Sequence, residues 1–378
     1  MNTDVAAPTS GSATHHEIRQ QPGAWRDLVT LLAGHRDALD DFLAPVLAQD
    51  DLRIVLTGAG TSAFAGDIAS ASLRRHLGRR VDALATTDLV ADPFGLLAEG
   101  GPVLLVSFAR SGNSPESVAA TRIVDDLAPR AHHLVITCDA EGALAREHRG
   151  AANSFVLVMP EQTNDTGFAM TSSFSTMLLA ALLVFRPDQA RHVEALSAAA
   201  SSLIERSGQV EALLDADPER VVYLGSGPLQ GLAQESALKL LELTAGGVAG
   251  FHDSPLGFRH GPKSVVDDRT LVVVYASADP YTAHYDADIV TELRRDRPAQ
   301  VVHVGGPDGS ALDLALPQLD GLDDGLRSVA LVAFAQLLAL GASVRRGCTP
   351  DNPFPGGTVN RVVQGVSIHD LPGRSEQP

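Results

Sequence analysis

Cysteine is nearly absent from this sequence, which has only Cys138 and Cys348 in 378 residues. Two cysteines cannot form a disulfide framework, and neither lies in a Cys-x-x-Cys or Cys/His pattern with the spacing of a metal site. We therefore expect two buried free thiols rather than a disulfide-rich fold or a cysteine metal centre.

Basic residues are also scarce, with 29 Lys and Arg against 46 Asp and Glu and a formal net charge of −17. A surface this acidic argues against broad contact with nucleic acid or with an anionic membrane, so neither is expected as a partner. A phosphorylated ligand would have to be held locally, by backbone amides and a few side chains.

Long apolar runs are missing as well. The N-terminus lacks the apolar stretch of a signal peptide and reads as a flexible arm. The two longest apolar runs, near Met177 and Val329, look too short or too interrupted to span a membrane. We expect a cytoplasmic protein.

The most informative feature that is present is a repeat. Residues 53–60, RIVLTGAG, return as RVVYLGSG at residues 220–227, a separation of 167 residues. Segments that begin at Pro102 and His132 match segments that begin at Arg269 and Ala299 at the same separation. Three matched segments in one order predict a duplicated α/β unit.

Strand-like and helix-like segments alternate along both halves. The apolar runs of the first half are at 53–57, 103–108, 134–137 and 155–159, and those of the second half begin near Val221, Leu271 and Val301. This alternation predicts an α/β fold in which each half is a parallel sheet with helices on both faces. Ligands of such folds bind beyond the carboxyl ends of the strands.

The same pattern suggests domain boundaries. We expect an N-terminal arm over residues 1–25, a first domain over 26–200, a second domain over 201–346 and an extended tail over 347–378. Residues 190–216 are rich in Ala, Ser, Glu and Leu and predict a helix that joins the two domains.

Two loops of the first half have the composition of an anion site. Gly58 to Ser62 follows a strand and opens a helix, and Arg110 to Ser114 does the same one strand later. Amides at a helix N-terminus attract a phosphate. The alternative is that the hydroxyl residues are only helix caps, but their occurrence at equivalent strand ends favours the anion site. A dinucleotide site is disfavoured because the third glycine of Gly-x-Gly-x-x-Gly is missing.

The second half continues instead into a helix with charged residues. Glu235, Lys239 and Glu242 share one helical face, while Leu238, Leu241 and Ala245 share another that we expect to pack against the sheet. The alternative is a solvated face with one ion pair.

A loop bounded by Gly and Pro follows this helix and contains His260. A glutamate base, a lysine that sets the local charge and a histidine that titrates near neutral pH suit proton transfer on a sugar. No histidine pair has metal-ligand spacing beside a carboxylate, so no metal or cofactor is predicted.

At these residues the chain resembles the sugar isomerase (SIS) family, and within it the tagatose-6-phosphate ketose/aldose isomerase group. The resemblance runs through THHEIRQQPGAW, GAGTSAFAGD, SFARSGNSPES, ESALKLLEL, FRHGPKS and NRVVQGVSIHDL, and so covers nearly the whole chain. It implies two tandem SIS domains and a small phosphosugar as substrate.

Similarity to the isomerase half of glucosamine-6-phosphate synthase implies roles for individual residues. It implies Glu242 as the base that moves a proton between C1 and C2 of the sugar, with Glu235 and Lys239 beside it. It implies His260 as the ring-opening acid/base, supplied by a neighbouring subunit, so that a homodimer or higher homo-oligomer shares its active sites. The implied phosphate-binding residues lie in the two loops of the first half and are Gly60, Thr61, Ser62, Arg110, Ser111, Asn113 and Ser114.

The sequence departs from the synthase in two places. The tail lysine of the synthase falls at Gln364, so we expect no role for a tail amine in ring opening. No glutaminase domain precedes the repeats, which favours breakdown of an amino sugar over its synthesis.

The resemblance implies an isomerase/deaminase that converts an amino-sugar 6-phosphate, with galactosamine 6-phosphate preferred, to tagatose 6-phosphate and ammonia by enamine proton transfer. Simple aldose–ketose isomerisation without loss of ammonia is one alternative. A sugar-phosphate sensor without catalytic activity is another.

Overall fold

Two parallel β-sheets form the framework of the chain in a computed structural model that describes residues 11–296, 300–307, 309–363 and 365–371. The first sheet has the strand order β2-β1-β3-β4-β5 and the second has the order β7-β6-β8-β9. The strands are β1 (Arg53–Thr57), β2 (Val81–Ala83), β3 (Val103–Ala109), β4 (Ala131–Thr137), β5 (Ser154–Val158), β6 (Arg220–Leu224), β7 (Ala249–Asp253), β8 (Thr270–Tyr275) and β9 (Gln300–Val304).

Helices follow most strands. They are α1 (Ala13–Leu47), α2 (Thr61–Leu77), α3 (Thr86–Ala91), α4 (Pro93–Leu97), α5 (Pro115–Leu127), α6 (Ala143–His148), α7 (Ser172–Phe185), α8 (Val193–Glu205), α9 (Ser207–Ala212), α10 (Pro228–Leu243), α11 (Pro280–Asp296) and α12 (Asp324–Arg345).

Every strand pair in both sheets is parallel. All residues of β1, β3 and β8 are buried, as expected for strands with a helical layer on each side. The α/β fold with two parallel sheets is thereby confirmed. β1 and β6 occupy the same place in their sheets, as do β3 and β8, which is the arrangement that a duplicated unit predicts.

The sequence analysis did not predict two of the strands, β2 and β7. β2 has three residues, and β7 reads AGFHD without an apolar run, so neither produces a strand-like pattern. Both lie at the edge of their sheet, next to β1 and β6 respectively.

The first helix corrects the expectation of a flexible arm over residues 1–25. α1 begins at Ala13 after the cap Ser12, and its residues Ile18 and Trp25 are fully buried. Trp25 Nε1 donates a hydrogen bond of 3.1 Å to Ser175 Oγ in α7. The expectation was wrong for residues 13–25 because their apolar side chains fill a groove that only the folded chain provides.

Residues 190–216, which were expected to form one joining helix, contain two α-helices. α8 ends at Glu205 and α9 begins at Ser207, with Arg206 between them. The expectation of one continuous helix over residues 190–216 was therefore wrong, because the helix is interrupted at Arg206.

A single hydrophobic core runs from one sheet to the other through α1, α2, α7, α8, α10 and α12. By length and composition, α12 could cross a membrane, so the interpretation of the run near Val329 as too short was wrong. However, 94% of the most apolar window of α12 is buried inside the protein, and the helix packs against α7, α8 and α10. α12 is thus the central helix of the core.

The tail after α12 has no helix or strand in its described residues, 347–363 and 365–371, as expected. Cys138 is buried as expected, whereas Cys348 is only half-buried, so the expectation for that thiol was wrong.

Candidate active site

The carboxyl ends of β1 and β3 bring the two predicted loops together. The two strands are adjacent in the sheet, and Thr57, the last residue of β1, is paired to Ser107, two residues before the end of β3. A cavity of about 230 Å³ lies between the loops. The sequence-predicted residues that line this cavity are Gly60, Thr61, Ser62, Arg110, Ser111, Ser114 and Glu242.

Glycines shape the first loop. A Cβ on Gly58 would lie 2.5 Å from the Cβ of Ser62, so only glycine allows the loop to fold back on the start of α2. Gly60 has a φ of +54°, in the left-handed region that glycine adopts at little cost. The two glycines therefore turn the chain sharply and place the start of α2, Thr61 and Ser62, beside the cavity.

The hydroxyl groups at the helix starts are not used as caps. Gly60 precedes α2 and has no side chain, and Ser114 precedes α5 without a side-chain hydrogen bond to that helix. These side chains therefore do not compete with an anion for the helix amides, although the amides of Ser62, Ala63 and Ser117 already donate to the carbonyl oxygens of Ala59, Gly60 and Ser114. This geometry supports the anion site over the alternative of simple helix capping.

Asn113 has a different position from its neighbours in the loop. Its Oδ1 accepts a hydrogen bond of 2.9 Å from the amide of Ala143 at the start of α6. Its side chain is exposed and does not line the cavity. The structure thus uses Asn113 to fasten the loop to α6.

The charged face of α10 is turned inwards. Glu235 and Lys239 are fully buried, and the Glu242 side chain is 24% exposed. The expectation that Leu238, Leu241 and Ala245 pack against the sheet was wrong, because Leu241 and Ala245 are exposed and Leu238 is only half-buried. α10 instead presents its charged face towards α2. The opposite charges on this face of α10 compensate one another.

Lys239 organises this buried cluster. Its Nζ donates a hydrogen bond of 2.8 Å to Thr61 Oγ1 and another to Glu242 Oε2, and it lies 3.5 Å from Glu235 Oε1. The two halves of the chain meet at this ammonium group because Thr61 begins α2 and Lys239 lies on α10.

The two buried ionisable groups respond differently to this environment. Burial raises the pKa of Glu235 to about 8, although the Lys239 ammonium opposes the shift. Burial would lower the pKa of Lys239, but the carboxylates of Glu235 and Glu242 more than offset it and hold that pKa above its ordinary value. Glu235 and Lys239 are thus the buried members of the cluster, and Glu242 is the member that reaches the cavity.

Arg110 is buried beneath the cavity. Its Nη1 donates to the carbonyl oxygens of Gly167 and Phe168 at 3.3 and 3.1 Å, and its Nη2 donates to that of Arg361 at 3.0 Å. Burial, with the neighbouring Arg361 guanidinium as the second cause, lowers the pKa of Arg110 to about 10. The side chain is therefore still a cation at neutral pH.

His260 is not at the cavity. It follows a short 3₁₀ turn, Gly257–Arg259, and is exposed. The cavity of a single chain therefore contains the proposed base and the anion loops but lacks the proposed ring-opening histidine.

Several residues of the cavity were missed by the sequence analysis. Phe168 and Met170 come from the loop before α7, and four residues of the tail form the outer wall, namely Val359, Asn360, Arg361 and Val363. The segment NRVVQGVSIHDL was recognised as part of the family resemblance, but no local pattern assigns its residues to the cavity, because the fold brings them to the loops from far along the chain. Gln364, which replaces the synthase lysine, lies outside the described residues.

Known proteins match this arrangement of loops and helices. The model of the SIS domain family matches residues 46–186. The D-galactosamine-6-phosphate deaminase AgaS of Escherichia coli is 47% identical over 377 residues, which is 97% of this chain and 98% of that protein. The chain belongs to the SIS family.

Two further relatives match this SIS protein over nearly its full length. A Streptomyces coelicolor protein, provisionally named as the same deaminase, is 56% identical over 96% of this chain and 97% of its own. The crystal structure of tagatose-6-phosphate ketose/aldose isomerase from Escherichia coli matches with a TM-score of 0.90 and 44% identity, over 98% of this chain and 100% of that one.

Proposed function

We propose that this SIS protein is a cytoplasmic deaminase of a 2-amino-2-deoxyhexose 6-phosphate, with galactosamine 6-phosphate as the preferred substrate and tagatose 6-phosphate and ammonia as products. The observation that carries the proposal is the Thr61–Lys239–Glu242 contact, which joins the anion loops of one half to a carboxylate of the other. The name of the E. coli relative that is 47% identical supports this choice of substrate.

The first step is capture of the phosphate ester. The ester binds to the amides at the starts of α2 and α5 and to the hydroxyl groups of Ser62, Ser111 and Ser114. This contact fixes C6 of the sugar and directs C1 and C2 towards Glu242. Because the ester stays bound throughout, the reacting carbons remain close to the base.

Glu242 is the proposed base. After ring opening exposes the C1 aldehyde, the carboxylate removes the proton from C2 and the aldehyde oxygen gains a proton, which gives an enaminol. Glu242 returns the proton to C1 while the amino nitrogen releases a proton to water, so that C1 becomes an alcohol and C2 an imine. Water adds to the imine and releases ammonia and the ketose. Lys239 donates a hydrogen bond to Glu242 Oε2 and so orients the carboxyl group that takes and returns the proton.

Ring opening requires an acid/base, and His260 from a second copy of the chain is the proposed source. The surface around His260 supports a homodimer or a higher homo-oligomer, because Phe251 and Leu256 are 39% and 49% exposed there. β7, which contains Phe251, is an edge strand of its sheet.

A second candidate is simple aldose–ketose isomerisation without loss of ammonia. The matched E. coli structure, named as a tagatose-6-phosphate ketose/aldose isomerase, favours it. It uses the same base and the same phosphate site, so only the products distinguish the two reactions.

The test is a panel of hexosamine and ketohexose 6-phosphates in which ammonia and ketose are measured together. We expect ammonia and ketose in equal amounts from galactosamine 6-phosphate. In the same assay Glu242→Gln should lower kcat by roughly 10² to 10⁴, the usual value of acid–base help, while sugar-phosphate binding is retained.

Glu205→Gln, an exposed glutamate at the end of α8, is the matched control and should keep full activity. Undiminished turnover by Glu242→Gln would reject Glu242 as the base. Ketose without ammonia would favour simple isomerisation, and binding without turnover of any sugar in the panel would favour a sensor.

A further inference from the structure

Two arginines from distant parts of the chain meet at the cavity, Arg110 after β3 and Arg361 in the tail. Arg110 donates to the carbonyl oxygens of Gly167, Phe168 and Arg361, and Arg361 Nη2 donates to the carbonyl oxygen of Asp165. These acceptors are all neutral backbone groups. The hydrogen bonds hold both arginines in place without pairing either of them with a carboxylate, although the charges of Asp165 and Glu242 act on Arg110 from beyond ion-pair distance.

The carboxylates nearby are already in use. Asp165 accepts hydrogen bonds at the start of α7 from the amides of Thr171 and Ser173 and from the hydroxyl groups of Ser172 and Ser173. Glu242 is paired with Lys239. Within the described residues, neither Arg110 nor Arg361 forms an ion pair with a carboxylate, so two unpaired guanidinium groups line one cavity.

Two like charges at one cavity repel each other unless an anion lies against both. The Arg361 guanidinium repels that of Arg110, because it adds to the effect of burial in lowering the pKa of Arg110. The N-termini of α2 and α5, which open at the same cavity, add further positive potential. In a chain with a net charge of −17, this concentration of positive charge is a local feature that matches a dianionic ester.

We propose that Arg361 of the tail binds the phosphate ester of the substrate, together with Arg110 and the hydroxyl groups of the two loops. A guanidinium donates two parallel hydrogen bonds to phosphate oxygens, a geometry that the hydroxyl groups cannot supply. Phosphate binding then holds the tail against the cavity. This inference rests on the proposed function, because it places the ester of a phosphosugar in this cavity.

Inorganic phosphate is the direct probe, and its affinity for the full-length protein can be measured by isothermal titration calorimetry. Arg361→Gln should weaken phosphate binding by roughly 10- to 100-fold, the usual value of a charge-assisted hydrogen bond. Arg361→Lys, which keeps the charge, should recover part of that loss. Arg122→Gln is the matched control, since Arg122 pairs with Glu147 away from the cavity and the net charge changes equally.

A purely structural role for Arg361 makes a different prediction. If Arg361 only fastened the tail to Asp165, Arg361→Gln would impair galactosamine and galactosamine 6-phosphate alike and would leave phosphate affinity unchanged. We expect KM to rise for the phosphorylated sugar alone. Circular dichroism of each variant establishes that it is folded.

Wild-type affinity for phosphate in folded Arg361→Gln would overturn the inference, as would failure of the wild-type protein to bind phosphate. A different outcome would reject the proposed function alone. If the wild-type protein binds phosphate through Arg361 but forms neither ammonia nor ketose, the reaction is wrong and the assignment of Arg361 stands.

Discussion

At the residue scale, one buried histidine away from the cavity, His148, makes stability depend on pH. The rings of His133 and His148 lie 4.6 Å apart, His133 Nε2 is 2.9 Å from Asp125 Oδ1, and His148 Nδ1 is 2.9 Å from Ser154 Oγ. Burial, and then the neighbouring His133, lowers the pKa of His148 from 6.5 to about 4. The folded protein therefore keeps His148 neutral at a pH where the unfolded chain protonates it.

The sign of the effect follows from this difference. Between pH 6.5 and about 4 the unfolded chain binds the extra proton, so the contribution of His148 to stability is present above pH 6.5 and is lost as the pH falls. The shift corresponds to about 3 kcal/mol for a group without solvent screening, and because solvent partly screens this ring we expect the free energy of unfolding of the wild-type protein to fall by about 1–2 kcal/mol relative to His148→Asn over this range. Urea denaturation at a series of pH values measures it. His76→Asn, at an exposed site, is the control, and parallel pH profiles for wild type and His148→Asn would contradict the assignment.

At the element scale, the close crossing of α2 and α10 sets the geometry of the buried cluster. A Cβ on Gly231 in α10 would lie 2.8 Å from Ile68 Cγ1 and 3.1 Å from the Ile68 amide nitrogen in α2. Gly231→Ala should therefore destabilise the protein by about 1–3 kcal/mol through overpacking, although alanine is favoured over glycine by about 1 kcal/mol inside a helix.

Urea denaturation again provides the measurement, and α1 supplies the matched control. Gly34 lies inside α1, and a Cβ at this position would have nothing within 4 Å. Gly34→Ala should stabilise the protein by up to about 1 kcal/mol, because only helix propensity changes there. Stabilisation by both substitutions would mean that α2 and α10 are not in close contact.

At the scale of the whole molecule, the separation of His260 from the cavity predicts complementation between subunits. Glu242→Gln and His260→Ala should each be inactive as homodimers. In a mixed dimer, one site would have both defects, and the other would pair an intact Glu242 with an intact His260 from the partner. Random mixing should therefore restore roughly one quarter of wild-type activity.

The two variants are unfolded together, refolded as a mixture and assayed for ketose and ammonia. Each variant refolded alone provides the control. If Glu242 and His260 of the same chain act together, no mixed dimer contains a complete site, and mixing would restore nothing.

Local sequence determined the elements and loops that depend on neighbouring residues. The strand at Arg53–Thr57 was predicted with its observed bounds, because an apolar run that ends in Gly-x-Gly leaves few other structures for those residues. The loops at Gly58–Ser62 and Arg110–Ser114 were placed at one cavity for a similar reason, since adjacent parallel strands end at the same edge of a sheet.

The tertiary structure decided what depends on contacts between distant residues. Helical periodicity grouped Glu235, Lys239 and Glu242 on one face of α10, but it could not show that this face is buried, because the compensating contact from Thr61 comes from the other half of the chain. The hydrogen bond from Arg110 to the carbonyl oxygen of Arg361 likewise joins residues that are 251 positions apart. Such pairs depend on how whole elements pack, and no short-range pattern in the sequence encodes that packing.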